Sequence, residues 1–188
     1  MTDQLHEPII RAAVGRPLGE ADTAVVMIHG RGDSAQGILG LAPALGTTGV
    51  SFVAPEATGR TWYPHSFLAD IADNEPWLSS ALAAIAGVLD QLQAAGVPAE
   101  RTVLLGFSQG ACLTAEFAAR NPQRYGGLAI LSGGLIGPAG TDRSYPGSLE
   151  GTPVFLGCSD IDFHIPVDRV HESAEVLARM GADVTKRI

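Results

Sequence analysis

The stretch Gly106-Phe107-Ser108-Gln109-Gly110 decides the fold of this chain. It follows the apolar run 101–105, which is predicted to be a short buried strand, and it precedes residues 111–120, whose pattern predicts an amphipathic helix. Glycines on both sides of the serine permit a tight, strained turn that a residue with a Cβ would not fit. The hydroxyl of Ser108 is therefore expected to stand exposed above the end of a sheet.

A serine at such a strand–helix junction is typical of the nucleophile elbow of α/β-hydrolases. The bare pattern G-x-S-x-G is common, and a plain glycine turn is the alternative interpretation. The strand before it and the helix after it favour the elbow. We therefore predict that Ser108 is a nucleophile.

Apolar runs of strand length alternate with helical patterns along the chain, which predicts an α/β fold with a mainly parallel sheet flanked by helices. The predicted strands are 24–28, 51–54, 102–105, 128–131, 154–156 and 183–188, with an edge strand near 9–13. The predicted helices are 77–95, 111–120 and about 167–180. The segment 36–40 is glycine-heavy and is not predicted to be helical, and 133–151 is predicted to be a long loop.

Composition narrows the class of protein. With 188 residues and 46% hydrophobic content, the sequence 1–188 is predicted to form a single domain. Its net charge of −8 disfavours nucleic acid and anionic membrane surfaces as partners. The N-terminus lacks the pattern of a secretory signal, and no apolar run reaches the ~20 residues of a membrane span. Cys112 and Cys158 form no disulfide or zinc pattern, so we expect a cytoplasmic protein without stable membrane insertion.

A second glycine-rich turn, His29-Gly30-Arg31-Gly32-Asp33, follows an early strand and has two interpretations. As G-x-G-x-x-A, ending at Ala35, it matches a dinucleotide fingerprint, with Glu56 as the acid that would bind the ribose. As His-Gly-x-Gly it matches the hydrolase loop whose backbone N–H groups face a developing oxyanion. Asp33 favours the second interpretation, because its carboxylate would repel a pyrophosphate at the helix N-terminus.

A third cluster follows the strand 154–156 and contains the candidate acid. In α/β-hydrolases the acid comes after the serine in the chain and orients the catalytic imidazole. Asp162, close before Pro166, is favoured over Asp160. A solvated acidic turn and an Asp-x-Asp-x-His metal site ending at His164 are the weaker alternatives.

The aromatic pair Trp62 and Tyr63 lies in a loop ahead of the first long helix. Such side chains offer apolar surface with polar tips, which suits a cleft for an acyl or alcohol group. The alternative is an aromatic cluster that fills the core beneath a loop, with His65 as a hydrogen-bonded loop residue.

Taken in chain order, these motifs resemble the phospholipase/carboxylesterase family, which includes the acyl-protein thioesterases. The matching segments are His29-Gly30-Arg31-Gly32-Asp33, Trp62-Tyr63, Gly106-Phe107-Ser108-Gln109-Gly110 and Asp162 before Pro166. The resemblance covers nearly the whole chain. It implies a three-layer α/β-hydrolase fold and a Ser–His–Asp esterase without cofactor or metal, acting on a small ester or acyl substrate as a monomer or homodimer.

The resemblance also implies roles for individual residues. Ser108 would be the nucleophile and Asp162 the acid, and the backbone N–H groups of Arg31 and Gln109 would form the oxyanion hole. Substrate-binding positions are expected at Trp62, Tyr63 and His29. Arg31 stands where such proteins often have a small apolar residue, which is expected to alter selectivity near the acyl group.

One departure concerns the catalytic histidine, which this family carries in a Gly-His context after the last strand. Here the sequence ends at Ile188 within the predicted last strand, without that Gly-His or the closing helix. We therefore expect a C-terminally incomplete version of a longer hydrolase. Among the five histidines, His164 is nearest to the acid and is the best substitute base. The others, less suited, are His6, His29, His65 and His171.

Two other functions remain open at this stage. A non-catalytic acyl-binding or interaction domain would keep the hydrolase pocket without its base. An NAD(P)-binding oxidoreductase would use the glycine-rich loop 30–35.

Overall fold

A seven-stranded sheet runs through the centre of the structure, a computed structural model that describes residues 5–46 and 48–188. Its strands are β1 (Ala12–Gly15), β2 (Thr23–Ile28), β3 (Val50–Ala54), β4 (Thr102–Phe107), β5 (Gly127–Leu131), β6 (Pro153–Gly157) and β7 (Asp183–Arg187). They lie in the order β1-β3-β2-β4-β5-β6-β7. Only the pair β1 and β3 is antiparallel within these described residues, so the prediction of a mainly parallel sheet is confirmed.

Five α-helices connect the described strands: α1 (Ala35–Leu39), α2 (Ala42–Leu45), α3 (Trp77–Ala94), α4 (Gln109–Arg120) and α5 (Val167–Arg179). The three long helices lie where the sequence predicted them. The prediction that 36–40 is not helical was wrong. Ser34 starts α1 by accepting a hydrogen bond from the Gly37 N–H, and such an N-cap offsets the low helix propensity of glycine.

Helices cover both faces of the sheet. The long helices α3, α4 and α5 pack against one face and form the larger apolar core. The short helices α1 and α2 pack against the other face, over β2 and β3. This helix–sheet–helix layering is the architecture that the sequence predicted.

The apolar stripe of α3 shows why its pattern was informative. Leu78, Ile85 and Leu92 are fully buried, and Leu82 and Leu89 pack against the same core. Their three- and four-residue spacing places them on one helix face. Burial of each leucine or isoleucine stabilises the fold by about 1.5–3 kcal/mol.

Residues 132–152 form a long loop without helix or strand, as predicted. Buried charges hold it in place. Arg169 donates from Nη1 to the carbonyls of Leu135 and Gly137, both at 2.7 Å. The Ile136 N–H donates to Glu116 Oε2 at 3.0 Å. The loop is therefore tied to α4 and α5 by polar contacts that sequence patterns do not reveal.

The register brings the carboxyl ends of the central strands to one edge. Ile28 of β2 pairs with Gly106 of β4, and Leu131 of β5 pairs with both Phe107 and Gly157. Ligands of open α/β sheets bind at this edge. The loops that follow β2, β4, β5 and β6 therefore meet there.

Among the residues that the structure describes, no helix combines the length and the apolar character needed to cross a bilayer.

Candidate active site

Ser108 occupies a strained turn between β4 and α4. Its φ of 52° and ψ of −116° lie in a region that residues with a side chain rarely adopt. A Cβ added to Gly106 would lie 2.2 Å from the Gly110 carbonyl oxygen, and one added to Gly110 would lie 2.1 Å from the Ile28 oxygen. Both glycines are therefore required sterically, and the predicted sharp turn is present.

The start of α4 leaves a backbone donor beside the serine. The Ser108 N–H donates to the Leu131 carbonyl at 2.9 Å, and the Ser108 carbonyl accepts from the N–H groups of Ala111 and Cys112. The N–H of Gln109 has no acceptor among the described residues. It lies at the N-terminus of α4, where the helix dipole favours negative charge.

The glycine-rich loop after β2 lies against this turn. A Cβ added to Gly30 would be 3.4 Å from Ser108 Cβ. The Gly32 N–H donates to the Arg60 carbonyl and the Asp33 N–H to the Gly30 carbonyl, whereas the Arg31 N–H has no acceptor in the described part of the chain. Arg31 and Gln109 thus each offer a backbone donor from loops that converge on Ser108.

His29 supports the loop from below. Its Nε2 accepts from the Ala57 N–H at 3.0 Å, so Nδ1 carries the proton and donates to the Gly30 carbonyl at 2.7 Å. Burial lowers the pKa of His29, and the imidazole is neutral in the folded protein. Trp62 Nε1 donates to the His29 carbonyl at 2.9 Å. Both side chains are fully buried, and the role expected for His29 and Trp62 in substrate binding stays a prediction.

Gln109 holds the aromatic loop onto the elbow. Its Oε1 accepts from the Trp62 N–H at 2.9 Å, and its Nε2 donates to the Tyr63 carbonyl at 2.8 Å. The residue after the nucleophile therefore positions the wall of the cleft. Sequence reasoning assigned only the backbone of Gln109.

His6, near the N-terminus, belongs to the same support. Its Nδ1 accepts from the Thr58 N–H at 3.1 Å and its Nε2 donates to the Trp62 carbonyl at 2.8 Å. The ring is fully buried and packs near Trp62 and Trp77. Burial lowers the pKa of His6, so it too is held neutral.

A cavity of about 400 Å³ opens above Ser108. Its lining comprises Arg31, Tyr63, Pro64, His65, Ser66, Phe67, Ser108, Gln109, Cys112, His164 and Ile165. Tyr63 contributes atoms to this lining, but its side chain is buried like those of Trp62 and His29, which lie outside the lining. Burial raises the pKa of the neighbouring Cys112 thiol to about 12, so this cysteine stays protonated and does not compete as a nucleophile.

The Asp162 carboxylate is held by its own loop. Oδ1 accepts from the N–H groups of His164 at 2.8 Å and Ile165 at 3.1 Å, and Oδ2 lies 3.9 Å from Cys158 Sγ. Asp160 is exposed and makes no side-chain hydrogen bond with the described residues. The structure thus gives Asp162 the more ordered carboxylate of the two candidates.

The imidazoles are distributed unevenly around the cleft. His65 and His164 line the cavity with Ser108. His171, on α5, instead contacts Lys186 on β7. Within residues 5–46 and 48–188, no histidine ring hydrogen-bonds to Ser108 Oγ or to the Asp162 carboxylate. In the same residues, no cluster of His, Cys, Asp and Glu is arranged to hold a metal ion.

Comparison with known proteins gives a consistent result. The profile of the phospholipase/carboxylesterase family matches residues 11–188. Acyl-protein thioesterase 1 of Eremothecium gossypii is 32% identical over an alignment of 190 positions, gaps included, that covers 88% of this chain and 77% of that protein. Acyl-protein thioesterase 1 of Yarrowia lipolytica is 29% identical over an alignment of 174 positions that covers 83% of this chain and 77% of that protein.

Solved structures agree at the level of the fold. A phospholipase/carboxylesterase from Dyadobacter fermentans superposes with a TM-score of 0.92 at 43% identity, covering 96% of this chain and 86% of that one. Esterase PE8 superposes with a TM-score of 0.79 at 24% identity, covering 94% of this chain and 86% of that one. This likeness shows only that the two proteins share a fold. The fold is that of the α/β-hydrolases.

Proposed function

We propose that this chain, which belongs to the phospholipase/carboxylesterase family, cleaves carboxylic esters or thioesters with Ser108 as its nucleophile. The esterase and thioesterase relatives support a hydrolase role. The observation that carries the finer assignment is the left-handed backbone of Ser108, at a φ of 52°. Such strain persists where the surrounding structure imposes it, and here it directs the serine toward a cleft beside free backbone donors.

The chemistry proposed is acyl transfer through a covalent intermediate. Ser108 Oγ attacks the carbonyl carbon, and the resulting oxyanion lies toward the N–H groups of Arg31 and Gln109. Loss of one such donor costs about 3–4 kcal/mol of transition-state stabilisation in serine hydrolases. When the tetrahedral intermediate collapses, the imidazole that took the Ser108 proton gives it to the departing alcohol or thiol, and water then hydrolyses the acyl-serine to release the acid and restore the hydroxyl.

Asp162 is proposed as the acid that orients an imidazole. Two backbone N–H groups fix its Oδ1, which leaves Oδ2 to accept from an imidazole N–H. The imidazole must reach Ser108 Oγ to take its proton. His164→Ala and His65→Ala test whether either ring that lines the cleft with Ser108 substitutes for the histidine that the family carries after its last strand.

The dinucleotide interpretation of the 30–35 loop is disfavoured by Glu56. Its Oε2 accepts from the Ala35 N–H at 3.0 Å, so a carboxylate occupies the N-terminus of α1 where a pyrophosphate would bind. The proposal therefore predicts that NAD and NADP leave the melting temperature unchanged.

The decisive experiment is active-site labelling. We expect a fluorophosphonate probe to modify Ser108, identified by peptide mass spectrometry, and Ser108→Ala to abolish both the label and hydrolysis of p-nitrophenyl esters. Ser132→Ala is the matched control, because Ser132 also follows a strand and has a φ of 54°. This control should keep the label.

Other outcomes separate the remaining functions. Labelling of a different serine, or hydrolysis by Ser108→Ala as fast as by the parent, would contradict the proposal. Saturable binding of acyl compounds with neither label nor turnover would instead identify a non-catalytic acyl-binding domain.

A further inference from the structure

The cleft above Ser108 has an unusual charge balance for this chain. One of its lining side chains, Arg31, is a permanent cation. Its lining contains no aspartate or glutamate. The whole chain carries a net charge of −8, so a cleft without carboxylates contrasts with the rest of the molecule.

The Arg31 guanidinium lies against the wall of this cleft. It donates to the carbonyls of Tyr63 at 2.9 Å, Pro64 at 3.0 Å and His65 at 2.9 Å. These bonds hold the charged group in place but do not neutralise it. A guanidinium has five N–H donors, so part of its donor set has no partner among the described residues.

No described carboxylate pairs with Arg31, in contrast to the arginines of the buried networks. Arg143 and Arg169 both pair with Glu172, and Arg120 pairs with Glu116. Arg31 is itself exposed to solvent and therefore accessible to a ligand. It is a fixed, accessible cation on the wall of a cleft.

Three acids of the neighbouring loops, Asp33, Glu56 and Asp162, contact groups other than Arg31. The Asp33 carboxylate lies against Gly37 of α1, where a Cβ on that glycine would strike it. Glu56 caps Ala35, and Asp162 accepts from the backbone of its own loop. None of them lines the cleft.

We propose that Arg31 binds a negatively charged group of the substrate, so that the cleft selects esters or thioesters that carry a carboxylate or a phosphate. This inference rests on the proposed function, because it takes the cleft as the substrate site. Hydrogen bonds between a guanidinium and an anionic oxygen are among the stronger ones available, and Arg matches both carboxylate and phosphate geometry. A neutral acyl chain would leave this cation without an anionic partner.

Equilibrium binding to the Ser108→Ala protein tests the inference without turnover. Monomethyl succinate carries one carboxylate, and dimethyl succinate is its neutral analogue. We expect the monoanion to bind about tenfold more tightly, with the preference shrinking as salt is added. Methyl phosphate forms the second arm. The tighter of the two anions identifies carboxylate or phosphate as the group recognised, and either result supports the inference.

Three variants separate charge from loop positioning. Arg31→Gln should lose the anion preference, whereas Arg31→Lys, which keeps the charge, should retain most of it. Arg179→Gln removes the same charge from an exposed position on α5 and should change nothing. Equal affinity for the two succinate esters, a preference that survives Arg31→Gln, or no saturable binding of either anion would overturn the inference.

Labelling of Ser108 in the parent protein keeps the two proposals distinct. A labelled serine without anion preference would refute this inference and leave the proposed hydrolase. An anion preference without labelling would refute the hydrolase assignment alone.

Discussion

Gln109 Nε2 donates to the Tyr63 carbonyl across 2.8 Å. The same amide accepts from the Trp62 N–H, so one side chain satisfies two backbone groups of a loop 46 and 47 residues earlier in the chain. The residue that begins α4 directly after the nucleophile thereby sets the position of the cleft wall. A buried pair of this kind is costly to break, because a lost partner leaves backbone groups without hydrogen bonds.

Replacement of Gln109 by leucine is expected to lower the free energy of unfolding by about 2–4 kcal/mol, since two buried backbone groups lose their partners. Urea denaturation followed by tryptophan fluorescence measures the change. Gln93→Leu, at an exposed position of α3, is the control and should stay within about 0.5 kcal/mol of the parent. Equal stability of the two variants would show that the amide does not hold the loop.

Replacement of Gly110 by alanine is expected to displace the elbow. The added Cβ would lie 2.1 Å from the Ile28 carbonyl oxygen, so β2 and α4 must separate. We expect a loss of stability of about 2 kcal/mol or more, together with loss of fluorophosphonate labelling. Gly19→Ala provides the comparison, because an added Cβ there meets nothing within 4 Å. Normal labelling of Gly110→Ala would contradict the steric argument.

Stability is expected to fall as the pH drops below neutral. Burial lowers the pKa of His29 and His6 from 6.5 in the folded protein, so the unfolded chain binds protons first. The contribution of the two neutral histidines to the free energy of unfolding is complete above about pH 6.5. It is lost as the pH falls through the lower pKa that each histidine has in the folded protein. Each histidine changes the free energy of unfolding by at most about 1.4 kcal/mol per pH unit.

Urea titrations between about pH 7 and about pH 5 measure this slope. His29→Asn should reduce it, whatever its effect on stability at neutral pH. Gln93→Leu, at an exposed position of α3, removes no titratable group and should retain the parent slope. A slope unaltered by His29→Asn would exclude His29 as a source.

Glu172 is expected to stabilise the base of the 132–152 loop through two arginines. Its carboxylate accepts from Arg143 Nε at 2.9 Å and Arg169 Nε at 2.8 Å, and both arginine side chains are almost fully buried. Glu172→Gln leaves these guanidinium groups without a counterion, which we expect to cost about 2 kcal/mol or more. Glu175→Gln, on an exposed position of the same helix, removes an equal charge and should be near neutral. Matching unfolding midpoints in urea would disprove the ion-pair argument.

Much of the fold was predictable because its signals are local. The glycines around Ser108, the leucine spacing of α3 and the apolar runs of the central strands each act within one element. The segment 36–40 was mispredicted because a single capping contact from Ser34 outweighed two glycines. Such a contact depends on the backbone path, which composition does not report.

The site was predictable only in part. One cleft is lined by Arg31, Tyr63, Ser108 and Gln109. Arg31 follows β2, and Ser108 and Gln109 follow β4. These two strands are parallel neighbours and end at the same edge of the sheet. The side chains of Trp62, His29 and Tyr63, which the sequence assigned to substrate binding, are all buried in the structure. Burial of an aromatic or imidazole ring is decided by what packs over it, and a loop sequence does not show that.

The sequence by itself determined the strands of the sheet, the three long helices, the elbow at Ser108 and the family, because these depend on local conformation and on motifs in chain order. Only the tertiary structure decided which polar groups are neutral, paired or free. The Ala57 N–H donates to His29 and keeps its imidazole neutral. Glu172 forms ion pairs with two arginines. Arg31 donates to backbone carbonyls and pairs with no described carboxylate. These states depend on burial and on contacts between distant segments, which exist only once the sheet has brought its loops together.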